Sequence, residues 1–170
     1  MATRLNDDAE MIARMEKDLI AKIGLSYSQA QIDIALHGVF SLDDLEKKTE
    51  SDLCQKPAVG VGYAGCELVN AELTARSASN VGSSMAARMV DYRFLVILGV
   101  PTERDCEERY SATTLLTVLR RGIHGSIVSD DHTNRTWGFV REKPDPAAST
   151  PSMLYYVQEW RVSVPLVGPV

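Results

Sequence analysis

Apolar side chains near the N-terminus recur at every third or fourth position, which is the spacing of one face of a helix. A polar run, Asn6, Asp7 and Asp8, precedes them and favours a helix start. The apolar stripe consists of Ile12, Met15, Leu19, Ile20 and Ile23. We therefore predict a helix from about 7 to 23, with Gly24 as its C-terminal stop.

The sequence that follows this helix carries weaker patterns. Residues 26–40 (SYSQAQIDIALHGVF) fit either an alternating strand, because of Ile32 and Ile34, or a short helix that ends at Gly38. Residues 41–53 (SLDDLEKKTESDL) are mostly polar, and they predict an exposed helix or an irregular segment.

Three later stretches have the patterns of strands. Residues 57–64 mix apolar side chains with glycine, and residues 91–101 (DYRFLVILGVP) are almost continuously apolar, which predicts burial on both faces. After a Pro-Ala-Ser loop at 144–152, the last strand begins in the stretch MLYYVQEWRVSVPLV. Its alternation places Leu154, Tyr156, Trp160, Val162 and Val164 on one face, and Tyr155, Val157, Glu159 and Arg161 on the other.

A second helix is predicted from about 105 to 121, with acidic side chains in its first turn and Gly122 at its end. Those acids are Asp105, Glu107 and Glu108, and the apolar stripe is Ala112, Leu115, Leu116 and Leu119. The following residues predict a strand, a polar turn and a second strand around 135–142. The segment 70–90, rich in Ala, Ser and Gly, predicts a long loop or a hairpin extension that orders only against a partner.

The resulting order is helix, strand, strand, helix, strand, strand. Pairs of consecutive strands on both sides of a helix favour an α+β fold, not the regular strand–helix alternation of a doubly wound enzyme. We predict a single layer of mostly antiparallel sheet, with four to five strands, packed by two or more helices. The chain has 170 residues and is 45% hydrophobic, which suits one domain spanning 1–170.

Composition and charge exclude several classes of protein. A net charge of −5 argues against broad binding of nucleic acid, which requires a basic surface. The three cysteines form no C-x-x-C pair and predict reduced thiols in a cytoplasmic protein. The N-terminus lacks the apolar core of a signal peptide, and the longest apolar run is strand-sized, so we expect no membrane segment.

One motif suggests an enzyme. Gly60, Gly62 and Gly65 spell G-x-G-x-x-G, the turn that binds dinucleotides in many oxidoreductases. That turn requires a preceding strand, a following helix and an acidic residue about twenty positions later. Pro57 precedes the glycines, and residues 80–90 contain no acid. We therefore expect no cofactor, and we interpret the glycines as room for a neighbouring backbone or a bulge. A small dinucleotide-binding oxidoreductase remains the alternative from a different class.

Other chemistry-bearing residues form no recognisable site. The histidines, at positions 37, 124 and 132, lack the spacing of metal ligands. Ser83 and Ser84 lack the G-x-S-x-G elbow of a hydrolase nucleophile. Cys106 is predicted at a helix start, but the neighbouring Glu107 and Glu108 oppose thiolate formation. The sequence predicts no catalytic, metal or cofactor site.

The arrangement of the motifs resembles a known family. A short N-terminal helix is followed by PAVGVGYAG, a loop, YRFLVILGV, the helix ATTLLTVLRRGIHG, a strand around WGFVREKP, and the closing strand LYYVQEWRVSVPL. Over about residues 8–166 this order is similar to that of the small tail terminator proteins of Mu-like bacteriophages and prophages. The resemblance lies in element order and texture, without a catalytic signature.

The resemblance implies a structural virion protein. Members of that family assemble into a hexameric ring that caps the tail tube, ends tube polymerisation and provides a docking surface for the head or neck. The expected partners are other copies of the chain, the tail tube protein and a connector or neck protein. The expected location is the virion, after assembly in the bacterial cytoplasm. A neck or head-completion protein of related fold is the alternative within virion assembly, and an adaptor module without a ring is a further possibility.

A set of residues could contact neighbouring subunits or the tube. The arginines of the loop and of the second helix could make ionic contacts, and Tyr155 faces away from Tyr156 and Trp160. The predicted interface residues are Arg76, Met85, Arg88, Arg120, Arg121 and Tyr155. Scattered surface charge explains each of the arginines equally well.

Overall fold

The described part of the chain forms two helices and one sheet. The computed structural model describes residues 3–39, 57–69, 88–102, 110–129 and 134–166. The elements are α1 (Thr3–Gln29), β1 (Ala35–Val39), β2 (Ala58–Leu68), β3 (Arg88–Pro101), α2 (Ala112–Ile123), β4 (Gly138–Pro144) and β5 (Met153–Leu166). The predictions for 41–53, for Arg76 and for Met85 lie outside the described residues.

The sheet has five strands in the order β1-β2-β3-β5-β4. Strands β2, β3, β5 and β4 pair in antiparallel fashion, and β1 joins the β2 side in parallel. The predicted α+β fold, with one mostly antiparallel sheet packed by two helices, is therefore confirmed. β2 and β3 are the two strands of a long hairpin, because their ladder runs from Ala58 opposite Gly99 to Leu68 opposite Val90.

Both helices pack on the same face of the sheet. The even-numbered residues of β3, including Phe94, Val96 and Leu98, point into this layer and are fully buried. They meet Leu19 of α1 and Leu115 of α2 in the main core. The period-2 pattern of the strand and the 3.6 pattern of the helices thus converge on one apolar layer.

α1 is longer than the sequence predicts. It ends at Gln29, so Gly24 does not stop the helix, and Asn6, Asp7 and Asp8 lie inside it. The last turn is retained because Tyr27 is buried and its hydroxyl donates to the Leu115 carbonyl at 3.2 Å. This packing outweighs the roughly 1 kcal/mol that a glycine costs inside a helix. The short helix ending at Gly38 was wrong, because those residues form β1.

α2 begins later than predicted. Ser111 is its N-cap, with an extended backbone and a side-chain oxygen that accepts the Thr114 N–H at 3.3 Å. Asp105, Glu107 and Glu108 therefore precede this helix and do not occupy its first turn, so that prediction was wrong. The helix passes through Gly122 to Ile123.

Several strand boundaries also differ. β2 runs four residues beyond the predicted end at 64, and β3 begins at Arg88, which had been assigned to the loop. The strand predicted before the polar turn is only an isolated bridge between Ile127 and Thr136. In each case hydrogen bonding to a neighbouring strand, which no local pattern encodes, sets the boundary.

Candidate interaction surface of the sheet

The three glycines of the G-x-G-x-x-G motif all lie within β2. β2 continues without a turn to Leu68, and the glycines pair with Ile97, Leu95 and Arg93 of β3. These glycines therefore do not form the strand–turn–helix geometry of a dinucleotide site. The register of the ladder shifts between Tyr63 and Gly65, and Gly65 has a φ of 105°, which favours glycine.

These glycines share the sheet face opposite to α1 and α2, which we term the helix-free face. It is formed by the odd-numbered residues of β3 and their cross-strand partners. Its members are Gly60, Gly62, Gly65 and Glu67 of β2, Asp91, Arg93 and Leu95 of β3, Glu159, Arg161 and Ser163 of β5, and Arg141 and Lys143 of β4. A track of backbone on β2 thus borders a strongly charged area on the other strands.

Ion pairs connect all four antiparallel strands on this face. Arg93 bonds Glu67 at 2.8 Å and Glu159 at 2.5 Å. Arg141 donates its Nε–H to the second oxygen of Glu159 at 2.6 Å. The series Glu67–Arg93–Glu159–Arg141, which we term the charge ladder, therefore crosses the sheet from β2 to β4 with alternating sign. Its terminal side chains are the exposed ones, at 64% for Glu67 and 68% for Arg141.

A second ion pair lies beside the ladder. The Asp91 carboxylate is buried, and it accepts hydrogen bonds from Arg161 at 2.9 Å and from the Ser163 hydroxyl. Both carboxylate oxygens are thereby satisfied, as a buried charge requires. The helix-free face therefore presents guanidinium groups outward and keeps two of its carboxylates beneath them.

The ladder changes the ionisation of its members. Burial raises the pKa of Glu159, but the hydrogen bonds and charges of Arg93 and Arg141 outweigh it, so the pKa lies below its usual value. The hydrogen bond to Glu159 raises the pKa of Arg93. Both groups are therefore held in their charged forms.

The remainder of this face is covered by a small second core. Tyr155 packs there with Ala58, Ile97, Ala148 and Met153, beneath the loop that joins β4 to β5. Tyr155 is only 1% exposed, so the prediction of an interface residue at this position was wrong. The face alternation was correct, but the loop folds back over the ring. Gly99 makes the room, because a Cβ there would lie 2.9 Å from the Tyr155 ring.

Three of the other predicted interface residues, Arg88, Arg120 and Arg121, lie in the described part of the chain. Arg120 lies 3.4 Å from Glu142 and donates to Thr117 on the helix-covered side. Arg121 is exposed at the end of α2. Arg88 is the first residue of β3.

Sequence reasoning missed the charge ladder. Arg93 lies within the apolar run of 91–101, and the other three members of the ladder come from three other strands. The usable signal was the alternation of charge with apolar residues, as in YRF and EWR. Alternation identifies a face, but it does not say which strands will be neighbours.

Neither a scan against protein-family models nor a search of curated proteins finds a match to this chain. Among the described residues, no group of three or more His, Cys, Asp and Glu side chains is placed to hold a metal ion. Over the same residues, no helix combines the length and apolarity needed to cross a membrane.

Proposed function

We propose that this chain is a structural virion protein, a tail terminator whose ring caps the tail tube of a bacteriophage. The observation that carries the proposal is the helix-free face, where the half-buried Gly62 and Gly65 and an ordered charge ladder remain uncovered by either helix. Such a surface suits contact with another protein, because its side chains are already fixed before binding. Element order and size, shared with the terminator family, also support the proposal.

The role of a tail terminator is compatible with this architecture. A ring subunit acts by shape and must contact two neighbours through a heterologous interface that closes. The ladder of β2 and β3 extends to Leu68 opposite Val90, past Val61, the last residue of β2 that pairs with β1. In the proposed ring this end of the hairpin contacts a neighbouring subunit or the tube. We expect no enzyme activity and no cofactor.

The test combines the chain with a bacteriophage tail tube subunit. Tube length is measured by electron microscopy after polymerisation with and without the chain. The mass of the assembled chain is measured by size-exclusion chromatography with light scattering. We expect a ring of about six copies at tube ends and shorter tubes. Adding the chain only after polymerisation is complete is the control, because it should cap the ends and leave the lengths unchanged.

Three outcomes discriminate the alternatives. A stable monomer at high concentration, even with tube subunits present, contradicts the terminator. A ring that binds a connector protein and leaves tube growth unchanged indicates a neck or head-completion protein. A monomer that binds one partner with fixed stoichiometry indicates an adaptor without a ring.

A further inference from the structure

The sheet has two stretches of edge strand of equal length. β1 pairs with β2 only as far as Val61, so Gly62–Leu68 has β3 as its one strand neighbour within the described residues. On the opposite side β4 is outermost and pairs with β5 alone among the described strands. β4 has seven residues, and 62 to 68 spans the same number. We term them the β2 edge and the β4 edge.

Each edge has a backbone amide that points away from the sheet and is held by a side chain of the helical layer. The Tyr63 N–H donates to Glu16 Oε1 at 2.9 Å. The Phe139 N–H donates to His124 Nδ1 at 3.1 Å. Both amides are therefore satisfied within the subunit, and they show which backbone positions face outward from each edge, one beside α1 and the other beside the end of α2.

Alternation identifies further outward groups. The Val69 N–H donates inward to Met89 at 2.9 Å, so the amides of Leu68 and Cys66 point outward from the β2 edge. The Asp145 N–H donates inward to Tyr155 at 2.8 Å, so the amide of Glu142 points outward from the β4 edge.

The two edges differ in protection. The sequence of the β2 edge, GYAGCEL, has small residues at four of its seven positions and contains no lysine or proline. Lysine and proline are the usual devices that prevent strands from adding to an edge. The β4 edge carries both devices at its end, Lys143 and Pro144, and Pro144 has no amide to donate, so pairing on this edge is confined to the residues before it.

Strand polarity favours contact between unlike edges. Two strands, β3 and β5, lie between β2 and β4, and every neighbouring pair is antiparallel, so β2 and β4 run in opposite directions. If copies are related by rotation about an axis along the strands, β4 of one copy lies antiparallel to β2 of the next. The antiparallel alternation then continues without interruption through every copy of a closed ring.

The charge ladder also favours contact between the β2 edge of one copy and the β4 edge of another. It ends in a carboxylate, Glu67, at the β2 edge and in a guanidinium, Arg141, at the β4 edge, and Lys143 adds a second cation there. All three side chains lie on the helix-free face. Head-to-tail contact therefore places opposite charges together and extends the alternation of sign, whereas contact between like edges opposes like charges.

We propose that the β4 edge of one copy pairs with the β2 edge of the next copy, so that a continuous antiparallel sheet joins the subunits. The occupant of each edge is thus a second copy of this chain. The proposal deepens the proposed ring and rests on it for closure, but the pairwise contact is measurable separately. The interface combines backbone hydrogen bonds with the Glu67–Arg141 and Glu67–Lys143 charges.

The test removes one outward amide from each edge. Cys66→Pro and Glu142→Pro delete the donor and place a proline ring at the edge, where proline is tolerated within the subunit. Cys66→Ala and Glu142→Ala are the matched controls, because they remove the same side chains and keep the amides. Mass is measured by light scattering, with and without tube subunits, and folding by circular dichroism and urea unfolding.

We expect each proline variant to weaken association by roughly tenfold or more, and each alanine control to assemble like the natural chain. Each proline variant keeps one intact edge. An equimolar mixture should therefore give a dimer of about twice 18.7 kDa and no larger species. A contact between two like edges would instead leave one variant dimeric on its own.

A second pair of variants guards against misfolding. Leu68→Lys places a charge on the β2 edge at a side chain that is 62% exposed, and the control Leu25→Lys places one on α1 at a side chain that is 59% exposed. We expect Leu68→Lys alone to weaken assembly. Rings that form equally well from all of the variants overturn the edge contact and leave the terminator proposal intact. Edge-dependent rings that leave tube length unchanged overturn the terminator proposal and support the edge contact.

Discussion

The two faces of the sheet are held together by different forces. On the helix-covered face, aromatic and aliphatic side chains fill the space between sheet and helices, and their few polar atoms are paired internally. On the helix-free face, ion pairs connect the strands, and one loop folds back over the sheet. The first arrangement gives stability through burial, and the second leaves an ordered, wettable surface that a partner can reach.

Two tryptophans on the helix-covered face and two carboxylates on the helix-free face show the difference between the faces most clearly. Trp137 and Trp160 are both fully buried on the covered side, and each indole N–H is hydrogen-bonded, to Asp18 at 2.8 Å and to Gln158 at 3.3 Å. Asp91 and Glu159 are buried on the other side only because arginines lie over them. We therefore expect substitutions on the covered face to be the more costly ones.

The largest effect is expected from Trp137→Ala. The change removes an edge-to-face contact with Phe94, whose ring centre lies 5.3 Å away, and deprives Asp18 of its indole donor. We predict a loss of about 3–5 kcal/mol in the free energy of unfolding, measured by urea denaturation. Ile127→Ala, at a neighbouring exposed position, is the control and should cost under about 0.5 kcal/mol. Equal losses in the two variants would contradict the assignment of the main core.

An intermediate effect is expected from Glu159→Gln, which breaks the charge ladder at its centre. Arg93 and Arg141 lose their shared carboxylate, and we predict a loss of about 1–3 kcal/mol at neutral pH and low salt. Lys143→Gln, on the same face, is the control and should have little effect.

Acid should remove the difference in stability between the natural chain and Glu159→Gln. The folded-state pKa of Glu159 lies below its usual value, because Arg93 and Arg141 outweigh the effect of burial. Its contribution to stability is therefore complete above the usual pKa of a glutamate, near about 4.3, and is lost as the pH falls through the lower folded value. The stabilities of the natural chain and of Glu159→Gln should converge in acid. A constant gap would show that the ladder does not act through charge.

The smallest effect, with the opposite dependence on pH, is expected from Glu16→Gln, where α1 meets the β2 edge. Burial raises the pKa of Glu16, and the Tyr63 N–H only partly opposes it. Its contribution is therefore complete below the usual pKa and is lost as the pH rises through the raised folded value. The glutamine should be equal or more stable at neutral pH, by under about 1 kcal/mol in urea unfolding. Glu10→Gln, on the exposed side of α1, is the control, and a destabilised Glu16→Gln would contradict this account.

Local pattern was sufficient for most of the fold. The apolar stripe of α1, the unbroken run of β3 and the two faces of β5 were all readable, because side-chain period follows directly from backbone geometry. The ends of the helices and strands could not be predicted from local pattern. Gly24 looked like a stop and Asp105 like the start of a helix, yet the contacts of Tyr27 and the cap at Ser111 decided the ends.

The sequence by itself determined the class of fold and the central strand, and it argued against a phosphate-binding turn at Gly60–Gly65. Only the tertiary structure decided that these glycines, Arg93, Glu159 and Arg141 share one face, and that Tyr155 lies beneath a loop. The reason is physical: periodicity is a property of a single segment. The order of strands in a sheet, and so every contact between them, depends on the packing of the whole chain.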